Sequence, residues 1–363
     1  MTEKHILYGG QLSYFTGKAR AYLNWKGVAY EERLASRDIY SSIIVPRIGY
    51  PMIPVLVTPD DEVIQDTSEI IDHFEALEPA LSVFPAGPKQ RLAAHLLELF
   101  GDEWLVIPAM HYRWAHNSDF AYREFGKVVA PDLSGEEQFE AGKKAAERFR
   151  GVVAVLGATP EMAPAIEASY EALLDELNAH FSAHDYLFGS RPSIGDFGLI
   201  GPLYAHQYRD PASGDLMKSR APKVAEWVLR MQNPPQPKSG EFLPDDEIPE
   251  TLLPILRRMM SEQGPCLADL VKQLAAWKEG NPDTEIPRMI GMQEFTVEGQ
   301  TAQRIVLPYT QWMLQRATDY LGGLSGDDRE STLDMLQSIN GRFLADLDIT
   351  APVRRENHKL IWA

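Results

Sequence analysis

Residues 9–20 read Gly-Gly-Gln-Leu-Ser-Tyr-Phe-Thr-Gly-Lys-Ala-Arg, and the hydroxyl-bearing Ser13, Tyr14 and Thr16 crowd into one turn. The apolar run Ile6-Leu7-Tyr8 precedes it, and Ala19, Tyr22, Leu23 and Trp25 follow at helical spacing. The turn therefore joins a strand to a helix. A helix N-terminus presents unpaired N–H groups and partial positive charge, so it stabilises an anion such as phosphate, carboxylate or thiolate. Ser13 suits donation of a further hydrogen bond to a thiolate carried in by a ligand. It equally suits capping of the helix, and on this stretch alone the cap is the simpler reading.

Two further stretches carry groups of the same kind. Ile53-Pro54 opens the apolar run Val55-Leu56-Val57, and an X-Pro bond in that place is a candidate for cis geometry. A cis bond there turns the Ile53 N–H and C=O outward, toward a peptide-like ligand. The alternative is an ordinary trans edge-strand proline. Gln65-Asp66-Thr67-Ser68 sets small polar groups at a second helix start. Its N–H groups and the Thr67 hydroxyl suit a carboxylate, and Asp66 suits an ammonium. Plain helix capping fits the same residues.

The elements that must position these groups follow from periodicity. Residues 4–82 read strand, helix, strand, loop, strand, strand, helix, which is a compact α/β unit. The first helix spans roughly Phe15 to Lys26, with Gly27 as its stop. From 88 to 232 strand signals vanish, and helical spacing predicts helices near 135–156, 162–182, 193–208 and 221–231. Ser193-Ile194-Gly195-Asp196 resembles a capping box with Asp196 in the acidic place. Asn233-Pro234-Pro235-Gln236-Pro237 breaks the pattern, so 233–248 reads as a linker, and Asp245-Asp246-Glu247 as a solvated charge run. The remainder, 249–363, is predicted mostly helical, with a hairpin of Gln293–Val297 and Thr301–Leu307. Tyr309, Trp312 and Met313, at helical spacing, are expected to bury a seam.

Bulk composition narrows the function. A chain of 363 residues exceeds one ordinary core, and 44% hydrophobic with 24% charged residues is that of a folded protein. The net charge of -17 argues against a nucleic-acid binder and an anionic membrane surface as partners. The single cysteine, Cys266, forbids an intrachain disulfide and fits a reducing compartment. With no signal-peptide pattern and no run of about 20 apolar residues, a cytoplasmic location is expected. No metal site is expected either. His180 and His184 share a helix face without the glutamate of a zinc protease motif or an evident third ligand, and read as a surface pair.

Taken in order, the strand, the serine at a helix start, the X-Pro strand and the Asp-Thr helix start resemble the thioredoxin-like domain of glutathione transferases. The helical stretch after it, with Tyr186-Leu187-Phe188-Gly189-Ser190-Arg191-Pro192-Ser193-Ile194-Gly195-Asp196-Phe197, is similar to that family's all-α C-terminal domain. The resemblance covers about residues 4–232. It implies an α/β thioredoxin-like domain (1–82), an all-α domain (88–232), a linker (233–248) and a mostly helical extension with a hairpin (249–363), which has no counterpart in the short members. It implies glutathione as co-substrate, with Ser13 addressing the sulfur and Tyr8 as second candidate. Phe15 and the Lys18-x-Arg20 pair stand just behind. Ile53 and Pro54 would meet the cysteinyl backbone, Asp66 and Thr67 the γ-glutamyl end. The loop before Ile53 lacks the family's usual Gln, Lys or His, and Arg47 is the candidate to replace it at the glycine carboxylate. Tyr14 stands where proline often follows the catalytic residue.

In that family the first helix of the all-α domain lines the second-substrate pocket. Here it offers Trp104, Met110, His111, Tyr112 and Trp114, walls suited to a small hydrophobic electrophile, with core packing as the alternative. The family also implies a homodimer. Three functions stay open at this point: a glutathione transferase, a non-catalytic binding or scaffold protein on the same fold, and a glutathione-dependent isomerase.

Overall fold

The computed structural model describes residues 4–363. β1 (His5–Gly9), α1 (Tyr14–Lys26) and β2 (Tyr30–Leu34) come first, then α2 (Arg37–Ile39) and α3 (Val45–Ile48), joined by a π-helical turn. β3 (Val55–Val57), β4 (Val63–Gln65) and α4 (Thr67–Leu77) complete the sheet region. Helices follow: α5 (Pro88–Glu103), α6 (Val106–His116), α7 (Ser118–Val129), α8 (Gly135–Arg150), α9 (Ala163–Ala183) and α10 (Ile194–Pro202). A π-helical turn, Leu203–Tyr208, leads to α11 (Pro211–Arg220) and α12 (Pro222–Gln232). Beyond them lie α13 (Leu253–Glu262), α14 (Gly264–Gly280), the hairpin β5 (Gly291–Val297) with β6 (Gln300–Val306), α15 (Pro308–Gly323), α16 (Gly326–Ser338), and a hairpin of β7 (Val353–Glu356) with β8 (Lys359–Trp362). This is the expected fold class: a small mixed sheet domain, a helical domain, and further helices and strands toward the C-terminus. No helix among the described residues is long and apolar enough to cross a membrane.

The chain gathers into two compact units. The first holds residues up to Ser82, Ala109–Val153 and Ile200–Ser239. Its sheet has the order β2-β1-β3-β4, with β2 parallel and β3 antiparallel to β1. Tyr8, Val55, Val57, Ile44 and Ile48 pack on one sheet face. Leu7, Leu56 and Ile64 alternate to the other face and are also buried. Gly27 stops α1 in the left-handed conformation, at φ 78°. α12 is tied to α1 by the Gln232 side-chain amide, which donates to the Gly17 carbonyl at 3.2 Å.

The second unit holds Val83–Pro108, Ala154–Leu199 and Gly240–Ala363. α5 crosses α10 at Gly101 and Gly198, where a Cβ on either would lie 2.4 Å from the other helix's backbone. Asp196 closes the expected capping box: its carboxylate accepts from the Ser193 N–H at 2.8 Å and from the Leu187 N–H at 3.1 Å.

Several expectations need correction. α7, α11 and the β7–β8 hairpin are additional, and the helix expected over 135–156 ends at Arg150. Asp246 is not part of a solvated charge run. Its carboxylate accepts from the Lys89 and Gln90 N–H groups at 2.7 and 2.8 Å, capping the start of α5. His180 does not belong to a surface pair. It is fully buried, its ring bonded to the Thr251 hydroxyl at 2.9 Å and the Tyr186 carbonyl at 3.3 Å.

Burial, with His184 beside it, holds the His180 imidazole down at about 4. An unfolded chain titrates it near 6.5. Between those values the unfolded state binds more protons. His180 therefore favours folding above about pH 6.5, and that contribution, up to about 3 kcal/mol, is lost as pH falls toward 4. Denaturant midpoints measured from pH 7 to pH 4.5 are expected to fall, and to fall less steeply in His180→Gln. Parallel curves would remove His180 as the source.

Candidate active site

Strand register brings the three sequence signals to one place. Tyr8 lies opposite Val55, and Val55 lies opposite Gln65. Just past that row, at the same edge of the sheet, come the turn into α1, the Ile53-Pro54 pair and Asp66-Thr67. Adjacent strands are spaced at about 4.8 Å, so the three segments fall within roughly 10 Å of one another.

Ser13 is the N-cap of α1, half-buried, and its Oγ accepts from the Thr16 N–H at 3.2 Å. A hydroxyl has two lone pairs and one proton, so the cap leaves that proton for another acceptor. Tyr14 is buried: its ring meets the edge of His206 at 5.6 Å, and a Cβ on Gly201 would touch it at 3.0 Å. Phe15 is half-buried, with its ring 4.8 Å from that of Tyr14. The crowding of the turn is thus a division of tasks. Ser13 caps, Tyr14 seats the turn on the helices behind it, and Thr16 fills the space over Gly9.

The Ile53–Pro54 bond is cis. Ile53 packs half-buried on the Tyr8–Val55 cluster. Asp66 caps α4, its Oδ1 accepting from the Ser68 N–H at 2.8 Å, and its own φ is 98°. Only glycine takes that conformation without strain, and such strain concentrates where chains clamp ligands. Thr67 is buried at the first position of α4. Beside them the Tyr50 hydroxyl donates to the Gln65 side-chain oxygen at 2.7 Å. Tyr8 is also buried, paired in register with Arg33, whose guanidinium it meets. The Arg47 guanidinium is held in the β3–β4 turn by the Asp61 carboxylate at 2.8 Å.

The proposed walls divide. Met110 and Trp114 join an apolar cluster with Ala121, Tyr122 and Ala146 of α7 and α8. His111 and Tyr112 are buried, and both rings lie within 5.5 Å of the His116 ring. Trp104 belongs to the second unit. There its indole donates to the Glu262 carboxylate at 3.1 Å, with the Arg304 guanidinium over the ring at 4.8 Å.

The structure gives the Lys18-x-Arg20 pair its partners and adds two arginines, Arg113 and Arg209, that motif reading does not mark. Lys18 is fully buried and its ammonium reaches Ser68 Oγ at 3.3 Å, linking α1 to α4. Arg20 makes a two-pronged pair with Glu32, at 2.7 and 2.8 Å. Arg113 of α6 and Arg209 donate to the carbonyls of Leu12 and Gln11, at 3.0 and 2.5 Å. The available signal for Arg113 was a charge inside an otherwise apolar helical stretch, because arginine is almost never fully buried without a partner.

Gly9 is dictated by this packing. A Cβ there would lie 2.4 Å from Thr16 Cγ2 and 2.7 Å from its Oγ1. Gly9→Ala is expected to destabilise by about 1–3 kcal/mol. Thr16→Ala in the same chain should recover at least about 1 kcal/mol of that in a double-mutant cycle followed by denaturant unfolding. Strict additivity of the two changes would contradict the contact.

Residues 7–82 match the family model of the glutathione S-transferase N-terminal domain, and residues 143–230 that of the glutathione S-transferase C-terminal domain. No curated protein sequence matches the chain. Among solved structures the fold is similar to a glutathione S-transferase from Rhodospirillum rubrum F11, at 17% identity over 68% of this chain and 96% of that one, with a TM-score of 0.43. It is similar also to a Tau class glutathione S-transferase from mango, Mangifera indica, at 20% identity over 68% and 94%, TM-score 0.42. A third is the β-etherase LigF from Sphingobium sp. strain SYK-6, at 20% identity over 64% and 96%, TM-score 0.47. The two domain matches fall in chain order, one on the sheet and one on the helices after it, so the chain carries segments that match both glutathione S-transferase domains.

Proposed function

We propose that this protein binds glutathione at the shared sheet edge, stabilises its thiolate at Ser13, and directs the sulfur at a small hydrophobic electrophile. The observation that carries the reading is the strand register, which sets the half-buried Ser13 at one helix N-terminus and the positive-φ Asp66 at another at the same end of the sheet. Family members use glutathione as a substrate. Its parts suit the groups found. The γ-glutamyl carboxylate would take the first N–H groups of α4 with the Thr67 hydroxyl, and its ammonium would face Asp66. The Ile53 backbone would pair with the cysteinyl unit, and Pro54 would fix that strand's start.

The sulfur would then lie at the N-terminus of α1. The free proton of Ser13 donates to it, and the helix end favours the anion. The protein supplies orientation and charge stabilisation, and glutathione supplies the nucleophile. Sulfur forms a bond to the electrophilic carbon while the leaving group departs with its electron pair. Tyr8, buried against the sheet and facing Arg33, is the weaker candidate for donor. Arg47 would have to exchange Asp61 for the glycine carboxylate. The ion pair itself, with Asp61 80% exposed, is worth about 1 kcal/mol or less, and Arg47 would also have to give up its 2.5 Å bond to the Asp61 carbonyl. The electrophile would rest against α6, where His111 and Tyr112 lie beside Arg113.

Three variants test the assignment. Ser13→Ala is expected to lower glutathione-dependent turnover roughly 10²–10³-fold, as loss of one donor to a developing or bound anion does. Its stability should fall by only about 1 kcal/mol, the worth of a cap. Ser13→Asp caps as well as serine but donates nothing, so stability should hold while ultraviolet thiolate absorbance of bound glutathione disappears. Activity surviving in Ser13→Asp would reduce Ser13 to a cap. Activity lost in Tyr8→Phe and kept in Ser13→Ala would move the donor to Tyr8. Absence of glutathione binding to the unmodified protein in calorimetry would favour a binding or scaffold role.

A further inference from the structure

Arg113 is 3% exposed, and each of its side-chain nitrogens has an acceptor. Nε and Nη2 grip the two oxygens of Asp210 at 2.7 and 2.8 Å. Nη2 also donates to the Ala205 carbonyl at 2.6 Å, and Nη1 to the Leu12 carbonyl at 3.0 Å. A guanidinium is planar, so a carboxylate bound along one edge fixes the direction of the remaining nitrogen. The Asp210 carboxylate is committed to this task. It stands at the N-cap of α11, where aspartate ordinarily accepts from the helix's own N–H groups, yet its side chain makes no such bond.

The third arm matters because of where it lands. The Leu12 carbonyl shares a rigid peptide plane with the Ser13 nitrogen, which itself donates to the Gly10 carbonyl at 3.0 Å. Arg209 holds the preceding plane by the Gln11 carbonyl, and the Tyr204 hydroxyl holds the Gln11 side chain at 3.2 Å. We infer that Arg113 is a positioning residue for the Ser13 turn: braced by Asp210, it fixes the peptide plane that aims the Ser13 hydroxyl and the first N–H groups of α1. A pair serving only to join α6 to α11 would need Asp210 and Ala205 but not Leu12. The inference rests on the proposed role of Ser13 for its chemical consequence, and on geometry alone for its mechanical one.

Arg113→Lys keeps the charge and one donor to Asp210 but cannot span Leu12 as well. Should it fail to fold, Arg113→Met combined with Asp210→Leu removes both buried charges together and carries the same measurements. In the ligand-free variant, amide hydrogen exchange over residues 9–16 is expected to rise about tenfold or more, with α9 unchanged as the internal reference. Unchanged exchange over 9–16 in a folded variant overturns the inference. With glutathione bound, the thiol pKa is expected to rise by about one unit, a tenfold loss of thiolate. Affinity for S-methylglutathione, which has no thiol, should stay within about twofold. A loosened turn with an unmoved thiol pKa also overturns it, because the brace would then do nothing for the chemistry. A loosened turn in a protein that binds no glutathione at all would refute the functional reading of Ser13 while sustaining the mechanical part.

Discussion

The first unit depends on the register of three short strands. Tyr8, Val55 and Gln65 form one row, and everything chemically interesting begins one residue beyond it. A slip of one residue would exchange the Tyr8–Val55 face for the Leu7–Leu56 face, and both are buried. It would also move the cis Ile53–Pro54 bond and the Asp66 cap away from the α1 turn. Register is held by side chains of different shape on the two faces, with Ile44 and Ile48 packed on one only. Strands of three residues, such as β3 and β4, have few backbone bonds to do this work. Burial must therefore supply most of the discrimination.

A second constraint is electrostatic. The α1 turn exposes carbonyls toward the helices behind it, and two guanidiniums answer them. Burying such a cation is costly unless it is paired and fully bonded. Arg113 meets that condition with Asp210 and two carbonyls. Burial alone pushes the Asp210 carboxyl upward, and Arg113 pulls against it. Next to them, His206 is held neutral, well below its ordinary range, first by burial and then by Arg113 and Arg209. Arg113 and Arg209 are thus each paired with a carboxylate, Asp210 and Glu124, while their guanidiniums hold the carbonyls of the turn.

What was legible in the sequence follows the same division. The two glycines, the hydroxyls and the change from strand to helical spacing mark the α1 turn because they act on adjacent residues. The X-Pro strand start and the Asp-Thr helix start are local in the same way. Arg113 and Arg209 were not legible as partners of the turn. Their acceptors are main-chain carbonyls 101 and 198 residues away, and a carbonyl has no residue-type signature. Asp246 failed as a surface charge for the same reason, since it caps a helix 157 residues upstream. His180 failed because Thr251, its buried partner, lies 71 residues on and nothing local announces it. Spacing reports what a helix face shows, and tertiary burial decides what that face meets.

The second unit shows the same logic in its core. Trp104, from the end of α5, needs an acceptor for its indole N–H and finds the Glu262 carboxylate of α13. Glu262 is buried enough that its carboxyl is pushed above the usual range, and it is kept in place by Ser169 at 2.6 Å and Arg258 at 3.2 Å. Arg258 in turn reaches Glu176 of α9 at 2.8 Å and Glu298 in the β5–β6 turn at 3.2 Å. Phe295 of that hairpin meets the edge of Trp104 and fills the space left open by Gly157. Trp104, Glu262 and the space over Gly157 would be left as an unsatisfied buried donor, an unsatisfied acceptor and a void without these neighbours, at a cost of about 1–3 kcal/mol for each lost hydrogen bond. Residues 253–306 therefore complete a core that Val83–Pro108 and Ala154–Leu199 only begin, which makes the C-terminal segment part of how this unit folds.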